Sequence, residues 1–217
     1  MDIDVGRSIR FVFEDEDWLP KVLIGGLVNL VPIVNLAVAG YGLRVLRNVA
    51  TGRELPLPDW GDFGDYFGKG LAIFVATLIY LVPLAGLAVL AAVVGAAAAL
   101  SGDGGAAAAG VTVLACLAAT YGLLVAIWLP GATAIYAAEG EFAAFFHFRQ
   151  IWNLIIRNLD GYILALLASF VVALVASVIG GLLFGVGALF TGFIAAVIAA
   201  HLFGQVLRES GHRLRAV

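Results

Sequence analysis

The residues best placed to do chemistry inside an apolar segment are a histidine and the glutamine four positions after it. His201 is the only histidine, acid or base in the run 161–207, and an ionisable residue within a membrane segment is by default a functional candidate. Gln205 lies on the same face of a helix, where its amide can pair with a neutral imidazole. The pattern predicts a structural pair first, and a proton relay or ligand contact as the alternative.

Two asparagines flank a proline in the first apolar run, 22–43. Pro32 removes a backbone donor and clashes with the preceding turn, so a helix must kink or break there. Asn29 and Asn35 can bond the backbone groups that the break frees, although broken membrane helices also form transporter sites. With His201 and Gln205 they make up a candidate polar intramembrane site. Every Asp and Glu falls at a span end or in a loop, which disfavours coupled transport.

An acidic and aromatic stretch follows at 55–67. Pro58 and Asp59 suit the start of a helix, because a carboxylate there accepts free amide donors. The stretch therefore predicts a short interfacial helix, and a cation- or partner-binding face is the alternative. Three carboxylates at 59, 62 and 65 supply too few ligands for a defined cation site. The candidate interfacial anchors of the whole chain are Asp59, Trp60, Phe63 and Trp152.

No enzyme motif is present in the sequence. It has no H-E-x-x-H, G-x-S-x-G, phosphate-loop or C-x-x-C pattern. The single Cys116 allows neither a disulfide within the chain nor a cysteine cluster for a metal. Glu139 and Glu141 are expected to be solvated, and His147 and His212 have no fixed carboxylate partner in the sequence pattern. We therefore expect a non-enzymatic protein without a metal or cofactor.

The composition places these residues in a membrane protein. Of 217 residues, 63% are hydrophobic and 12% are charged, and the mean hydropathy is +1.05. Soluble domains are about half apolar and a quarter charged. The net charge is −3 and the pI is near 5.5, and the sequence has no stripe of basic residues. It therefore lacks the positively charged surface that nucleic-acid binding needs.

Four apolar stretches are long enough to cross a bilayer. No formal charge lies between Lys69 and Asp103 or between Asp103 and Glu139, and each stretch exceeds a hydrocarbon core of about 30 Å. The run 161–207 holds two spans divided by glycines at 180–187. The run 22–43 is either a kinked fifth span or a re-entrant hairpin. The predicted fold is an all-α integral membrane protein with four transmembrane helices, a Pro-broken N-terminal hydrophobic hairpin or fifth span, and cytoplasmic-side amphipathic helices.

The expected layout is a single polytopic domain, 1–217. Its segments are an amphipathic N-terminal helix (1–17), a broken hydrophobic hairpin (18–50), an interfacial helix (56–68), a helical hairpin (70–138), a second interfacial helix (141–159), a second helical hairpin (161–207) and a cytoplasmic tail (208–217).

The basic residues predict the orientation. Neither turn between paired spans, at 101–105 or 180–187, contains Lys or Arg, so both turns are expected outside. If the first run crosses once, Arg7, Arg10 and Lys21 also lie outside. If it re-enters, all 12 basic residues lie inside. We therefore expect a cytoplasmic C-terminus and favour a cytoplasmic N-terminus.

Small residues recur at helix-packing spacing. Ser177, Gly181 and Gly185 are four positions apart, and such rows let helix backbones approach closely in lipid. Packing within one chain and self-association are both consistent with this row.

Several ordered short motifs resemble one family. They are Phe13-Glu-Asp-Glu-Asp-Trp-Leu-Pro-Lys21, the break at 29–35, Gly40-Tyr-Gly-Leu-Arg44, Leu57-Pro-Asp-Trp60, Asn158-Leu-Asp-Gly-Tyr162 and Ala200-His-Leu-Phe-Gly-Gln205. Together they resemble the prokaryotic membrane proteins of domain of unknown function 4013. The resemblance implies a bacterial or archaeal plasma-membrane protein and brings no activity, substrate or catalytic residue.

The expected function is a membrane-embedded scaffold or accessory subunit. It would pack against a second copy, another membrane complex or lipid, and nucleic acid is not an expected partner. The second hypothesis is a carrier or channel-like protein for a small or lipidic molecule, which would use the polar site of Asn29, Asn35 and His201. An intramembrane enzyme is the third.

Overall fold

The computed structural model describes residues 3–101, 104–183, 185–212 and 214. Within these ranges the chain is helical and has no strand, which confirms the predicted all-α class. The helices are α1 (Val5–Glu14), α2 (Trp18–Leu30), α3 (Leu36–Ala50), α4 (Phe63–Ser101), α5 (Gly104–Glu139), α6 (Phe148–Arg157), α7 (Leu159–Leu182) and α8 (Val186–Glu209), with 3₁₀ turns at Trp60–Asp62 and Phe142–Phe146.

Four helices in the described part of the chain are long and apolar enough to cross a membrane. They are Trp60–Leu100, Ala108–Glu139, Leu159–Leu182 and Val186–Glu209. Even a helix of 24 residues rises about 36 Å, more than the roughly 30 Å of a hydrocarbon core. The prediction of four helices that are long and apolar enough to span a membrane is therefore confirmed. Of the turn expected at 101–105, Gly102 and Asp103 lie outside the described residues.

The first apolar run forms two helices and not one kinked helix. α2 and α3 have 13 and 15 residues, so each rises only about 20 Å. The turn between them contains Pro32, and Ile33 adopts a φ of 72°. A β-branched residue rarely takes this left-handed conformation, so this turn ends α2 sharply.

The two segments predicted to be interfacial helices differ in detail from the prediction. Residues 56–59 precede a 3₁₀ turn, and the residues from Phe63 onward already belong to α4. They join α4 because its first turns pack against α3: a Cβ on Gly40 would meet the backbone of Tyr66, and a Cβ on Gly70 would meet the Leu36 carbonyl. The predicted segment 141–159 is likewise divided into a 3₁₀ turn, the helix α6 and the start of α7.

Contacts divide the chain, expected to be a single domain, into two compact units. The first unit combines Met1–Phe74 with Pro130–Val217, and the second unit is Val75–Leu129. In the first unit α8 lies at the centre and packs against α7, α3, α2 and α1. α2 approaches α8 closely because Gly25 and Gly26 leave room for the rings of Phe193 and Phe190. In the second unit the Tyr121 hydroxyl donates to the Tyr80 carbonyl at 2.7 Å.

Candidate functional site

His201 is buried on α8 and lies beside Gln205, with α1 as a third partner. The His201 Nδ1 is 3.1 Å from Gln205 Nε2 and 2.9 Å from the Ser8 hydroxyl. The Phe11 ring lies against the imidazole with centroids 4.3 Å apart. The structure thus brings His201 and Gln205 together, and it adds two residues of α1 that the sequence pattern did not include.

The Gln205 amide binds the backbone of Asp4 at two points. The Asp4 N–H donates to Gln205 Oε1 at 2.8 Å, and Gln205 Nε2 donates to the Asp4 carbonyl at 3.1 Å. Because of these two bonds, the amide nitrogen of Gln205 faces His201, and an amide nitrogen can only donate a hydrogen bond. The same nitrogen lies 2.8 Å from the Ser8 hydroxyl, which donates to the Asp4 carbonyl at 3.0 Å, so His201, Gln205, Ser8 and Asp4 form one hydrogen-bond network.

A cleft of about 220 Å³ opens beside this network. We call it the arginine cleft, because Arg7 of α1, Arg53 of the loop after α3 and Arg208 of α8 all line it. His201, Gln205, Asp4 and Glu209 contribute polar groups to its wall. Sequence reasoning missed this site, since its three arginines are far apart in the chain and only folding brings them together.

The two asparagines of the predicted polar site do not join His201. Asn29 Nδ2 donates to the Leu189 carbonyl at 3.0 Å, near the start of α8. Asn35 is exposed at the turn after α2. Leu189 and His201 are 12 positions apart on α8, which corresponds to about 18 Å along a helix. Asn29 of α2 therefore contacts α8 about 18 Å along that helix from His201.

A buried ion pair lies where α2 begins. Lys21 Nζ is 2.8 Å from Asp15 and 3.2 Å from Asp59, and the side chains of Lys21 and Asp15 are only 11% and 10% exposed. Burial lowers the pKa of Lys21, but the hydrogen bonds and charges of Asp15 and Asp59 outweigh burial and raise this pKa above its ordinary value. In the sequence Lys21 indicated only membrane orientation, and residue spacing did not predict this pair.

The acidic residues at 59, 62 and 65 pair with separate cations. Asp59 binds Lys21, Asp62 lies 3.9 Å from Arg44, and Asp65 binds Lys69 at 2.7 Å. Each carboxylate thus has a basic partner of its own, which favours a structural role for this segment over the cation-binding alternative.

The predicted anchors have different surroundings. Trp60 stacks on Tyr41 with ring centroids 4.5 Å apart, and its indole N–H donates to the Lys21 carbonyl at 3.0 Å. Phe63 lies beside Trp60. Trp152 on α6 is 57% exposed. Trp60 therefore holds the loop before α4 against α3, whereas Trp152 presents its ring outward.

The row of small residues is split between a helix and a turn. Ser177 and Gly181 are exposed on α7, and a Cβ on Gly181 would meet no atom within 4 Å. Gly185 lies beyond the end of α7 with a φ of 78°. Its conformation suits a turn that glycine adopts without strain. Within the chain the close approach of α7 and α8 is made by the neighbouring Gly180, which lies against Ala188.

Glu139 is paired, contrary to the expectation that it is solvated. Its side chain is 13% exposed, and its carboxylate lies 2.9 Å from His147 Nδ1 and 4.0 Å from His212 Nε2. The pairing arises because the 3₁₀ turn after α5 reverses the chain and returns His147 to the end of that helix. Spacing alone did not indicate it, since nothing in the sequence fixed the direction of that turn.

The sequence profile of the family described as protein of unknown function (DUF4013) matches residues 24–185. The chain belongs to this family. The match confirms the resemblance carried by the short motifs. No curated protein and no solved structure matches the chain.

The DUF4013 match includes some parts of the candidate site and leaves out others. Asn29 and Arg53 fall inside the matched residues. Arg7, His201 and Gln205 fall outside them, because all of α1 and all of α8 lie beyond the match. The arginine cleft of this DUF4013 protein therefore joins matched and unmatched segments.

Proposed function

We propose that this DUF4013 protein is a non-enzymatic scaffold of the prokaryotic plasma membrane that self-associates through the outer face of α7. The observation that carries the proposal is Gly181, which is exposed and has open space where a side chain would project. Ser177, one turn earlier, is exposed too. Small residues on an outward face let a second helix approach closely in a bilayer, where packing drives association.

The directions of α2 and α3 along α8 support a re-entrant hairpin. Near the end of α2, Asn29 bonds to Leu189 at the start of α8. Near the end of α3, the Leu46 carbonyl lies against Gly204, close to the end of α8. α2 is thus antiparallel to α8 and α3 is parallel to it, so the start of α2 and the end of α3 lie at the same end of α8. The Asp4 to Gln205 bonds bring the start of α1 to that same end of α8, and this supports a cytoplasmic N-terminus under the positive-inside rule.

The faces of α1 and α6 support an interfacial position for both helices. On α6, Ile151, Leu154 and Ile155 are buried against the protein, while Phe148 and Trp152 are exposed. The remaining arc of α6 is polar and carries Arg149, Asn153 and Arg157.

The helix α1 has the same three faces as α6. Its buried face has Phe11 and Val12, its exposed apolar face has Ile9 and Phe13, and its polar face has Arg7, Arg10 and Glu14. Such a helix can contact protein, acyl chains and water at once.

The positions of the polar residues favour a scaffold over a carrier. A carrier would need Asn29, Asn35 and His201 to line one path. Asn29 instead bonds to Leu189, which lies about 18 Å along α8 from His201, and His201 bonds to Ser8 of α1. The polar groups inside the apolar helices therefore serve helix packing better than transport.

Gly181→Leu tests self-association, with Gly192→Leu on α8 as its matched control. Gly192 is also exposed, and a Cβ there would likewise meet no atom within 4 Å. We expect the wild-type protein and Gly192→Leu to form the same oligomer in detergent, and Gly181→Leu to shift toward monomer, measured by light scattering after size exclusion. His201→Ala should leave the oligomer intact. A monomeric wild type, or equal effects of the two leucines, would contradict the proposal.

A further inference from the structure

Three arginines line the arginine cleft, and none has a carboxylate ion-pair partner among the residues that the structure describes. Arg7, Arg53 and Arg208 are exposed, and none forms an ion pair with another residue in the described ranges. Other arginines behave differently: Arg44 lies near Asp62, and Arg47 reaches the Ala137 carbonyl. Like charges held together at one cleft repel each other, so an anion between them would stabilise the arrangement.

We propose that the arginine cleft binds a phosphate group. Guanidinium groups donate two parallel hydrogen bonds to a phosphate, which a single ammonium cannot do. The cleft volume of about 220 Å³ is several times the roughly 30 Å³ that one water occupies. The site is thus large enough for a phosphate and the group to which it is attached.

The other groups of the cleft are consistent with an anion. The Asp4 carboxylate is already engaged, because its Oδ1 accepts from the Arg7 backbone N–H at 2.7 Å as the cap of α1. Three arginines therefore face two carboxylates, Asp4 and Glu209, and the cleft has a net positive charge.

The backbone of α1 fixes one side of the cleft. Gln205 holds Asp4 at both its amide and its carbonyl, so the first turn of α1, which bears Arg7, is anchored to the helix that bears Arg208. Arg208 in turn lies against Gly52, next to Arg53. Two sources fit this chemistry: a phosphate-bearing lipid headgroup in an anionic leaflet, and soluble phosphate.

The test is calorimetric titration of the full-length protein in neutral dodecyl maltoside micelles. The probes are inorganic phosphate and, separately, dihexanoyl phosphatidic acid, with dihexanoyl phosphatidylcholine as a zwitterionic reference that has no net charge. Saturable binding of both probes assigns a site open to soluble phosphate, whereas binding of phosphatidic acid alone assigns a lipid headgroup. Binding of neither overturns the proposal.

Arg208→Gln and Arg53→Gln are the test variants, and Arg10→Gln is the matched control. Arg10 is exposed on α1 but does not line the cleft. Loss of one charge-assisted contact should weaken binding about tenfold in the test variants, while Arg10→Gln should bind like the wild type. Equal loss in the control means that bulk charge attracts the probe, which overturns a defined site.

Glu209→Gln provides a gain of affinity that misfolding cannot produce. Removing this carboxylate from the cleft wall should tighten phosphate binding about twofold to fivefold, as expected for an exposed charge. Weaker or unchanged binding overturns the assignment. The result is independent of the proposed scaffold function, because Gly181→Leu should bind phosphate as the wild type does even when it no longer self-associates.

Discussion

Gln205 near the end of α8 holds the backbone of Asp4, just before α1, at both its donor and its acceptor. The Asp4 N–H donates to Gln205 Oε1 at 2.8 Å, and Gln205 Nε2 returns a bond of 3.1 Å to the Asp4 carbonyl. The same amide nitrogen lies 2.8 Å from the Ser8 hydroxyl. One side chain thus joins two helical segments through residues 201 positions apart in the sequence.

Gln205→Leu should release α1 from α8. The substitution keeps the size of the side chain but removes every bond to Asp4 and Ser8, and each lost hydrogen bond costs about 1 kcal/mol. We expect hydrogen exchange of the α1 amides to accelerate at least tenfold, as read by mass spectrometry. Asn153→Leu, an exposed polar position on α6, should leave α1 unchanged. Protection of α1 equal to that of the wild type would show that apolar contacts alone hold it.

Lys21→Met should destabilise the protein strongly. It leaves Asp15 buried without its cation, and breaking a buried pair in this way costs about 3 kcal/mol or more. Lys69→Met is the control, because Lys69 pairs within one helix turn with the more exposed Asp65, where such pairs contribute about 0.3–0.5 kcal/mol. Thermal unfolding in detergent should rank the loss for Lys21→Met well above that for Lys69→Met.

The Lys21 pair should also give stability a basic limit. Its pKa is raised in the folded protein above the ordinary value of 10.5. A raised pKa in a cationic group contributes stability that is complete below the unfolded pKa and is lost as pH rises through the folded pKa. We therefore expect the difference in stability between the wild type and Lys21→Met to be constant from pH 7 to about 10 and to shrink above it. A difference that grows with alkaline pH would contradict the ion pair.

Gly40→Ala should disrupt the contact between α3 and α4. A methyl group there would meet the backbone of Tyr66, which cannot move aside like a flexible side chain, so the cost should be about 1–3 kcal/mol or more. Gly68→Ala on α4 is matched to it, since nothing lies within 4 Å of that position and alanine favours a helix by up to about 1 kcal/mol. We expect the melting temperature to fall for Gly40→Ala and to rise for Gly68→Ala. Shifts of the same sign in both variants would contradict this packing.

Thiol labelling should report the proposed orientation. Cys116 is exposed, so the labelling background is Cys116→Ala. In that background, Gly6→Cys on α1 should react with an impermeant maleimide only after the cell membrane is opened. Gly104→Cys at the start of α5 should react in intact cells. Reaction of the Gly6→Cys variant in intact cells would place the N-terminus outside and rule out the re-entrant hairpin.

The sequence predicted some parts of the candidate site because those parts depend on local spacing. His201 and Gln205 share one helix face at a separation of four residues, and the structure brings their side chains together. The break at Pro32 follows from the missing backbone donor. The partners of Asn29 and Glu139 were not predictable in this way, because both depend on how one helix lies against another or how a turn reverses.

Composition and apolar run length by themselves determined the helical class and the four long apolar helices. Those properties reflect the cost of exposing polar backbone and charge to hydrocarbon, and each stretch of chain bears that cost separately. Only the tertiary structure decided that α1 docks on α8, that Lys21 is buried between Asp15 and Asp59, and that three distant arginines line one cleft. These contacts join residues far apart in the chain, and their geometry depends on the packing of whole helices, which residue spacing does not encode.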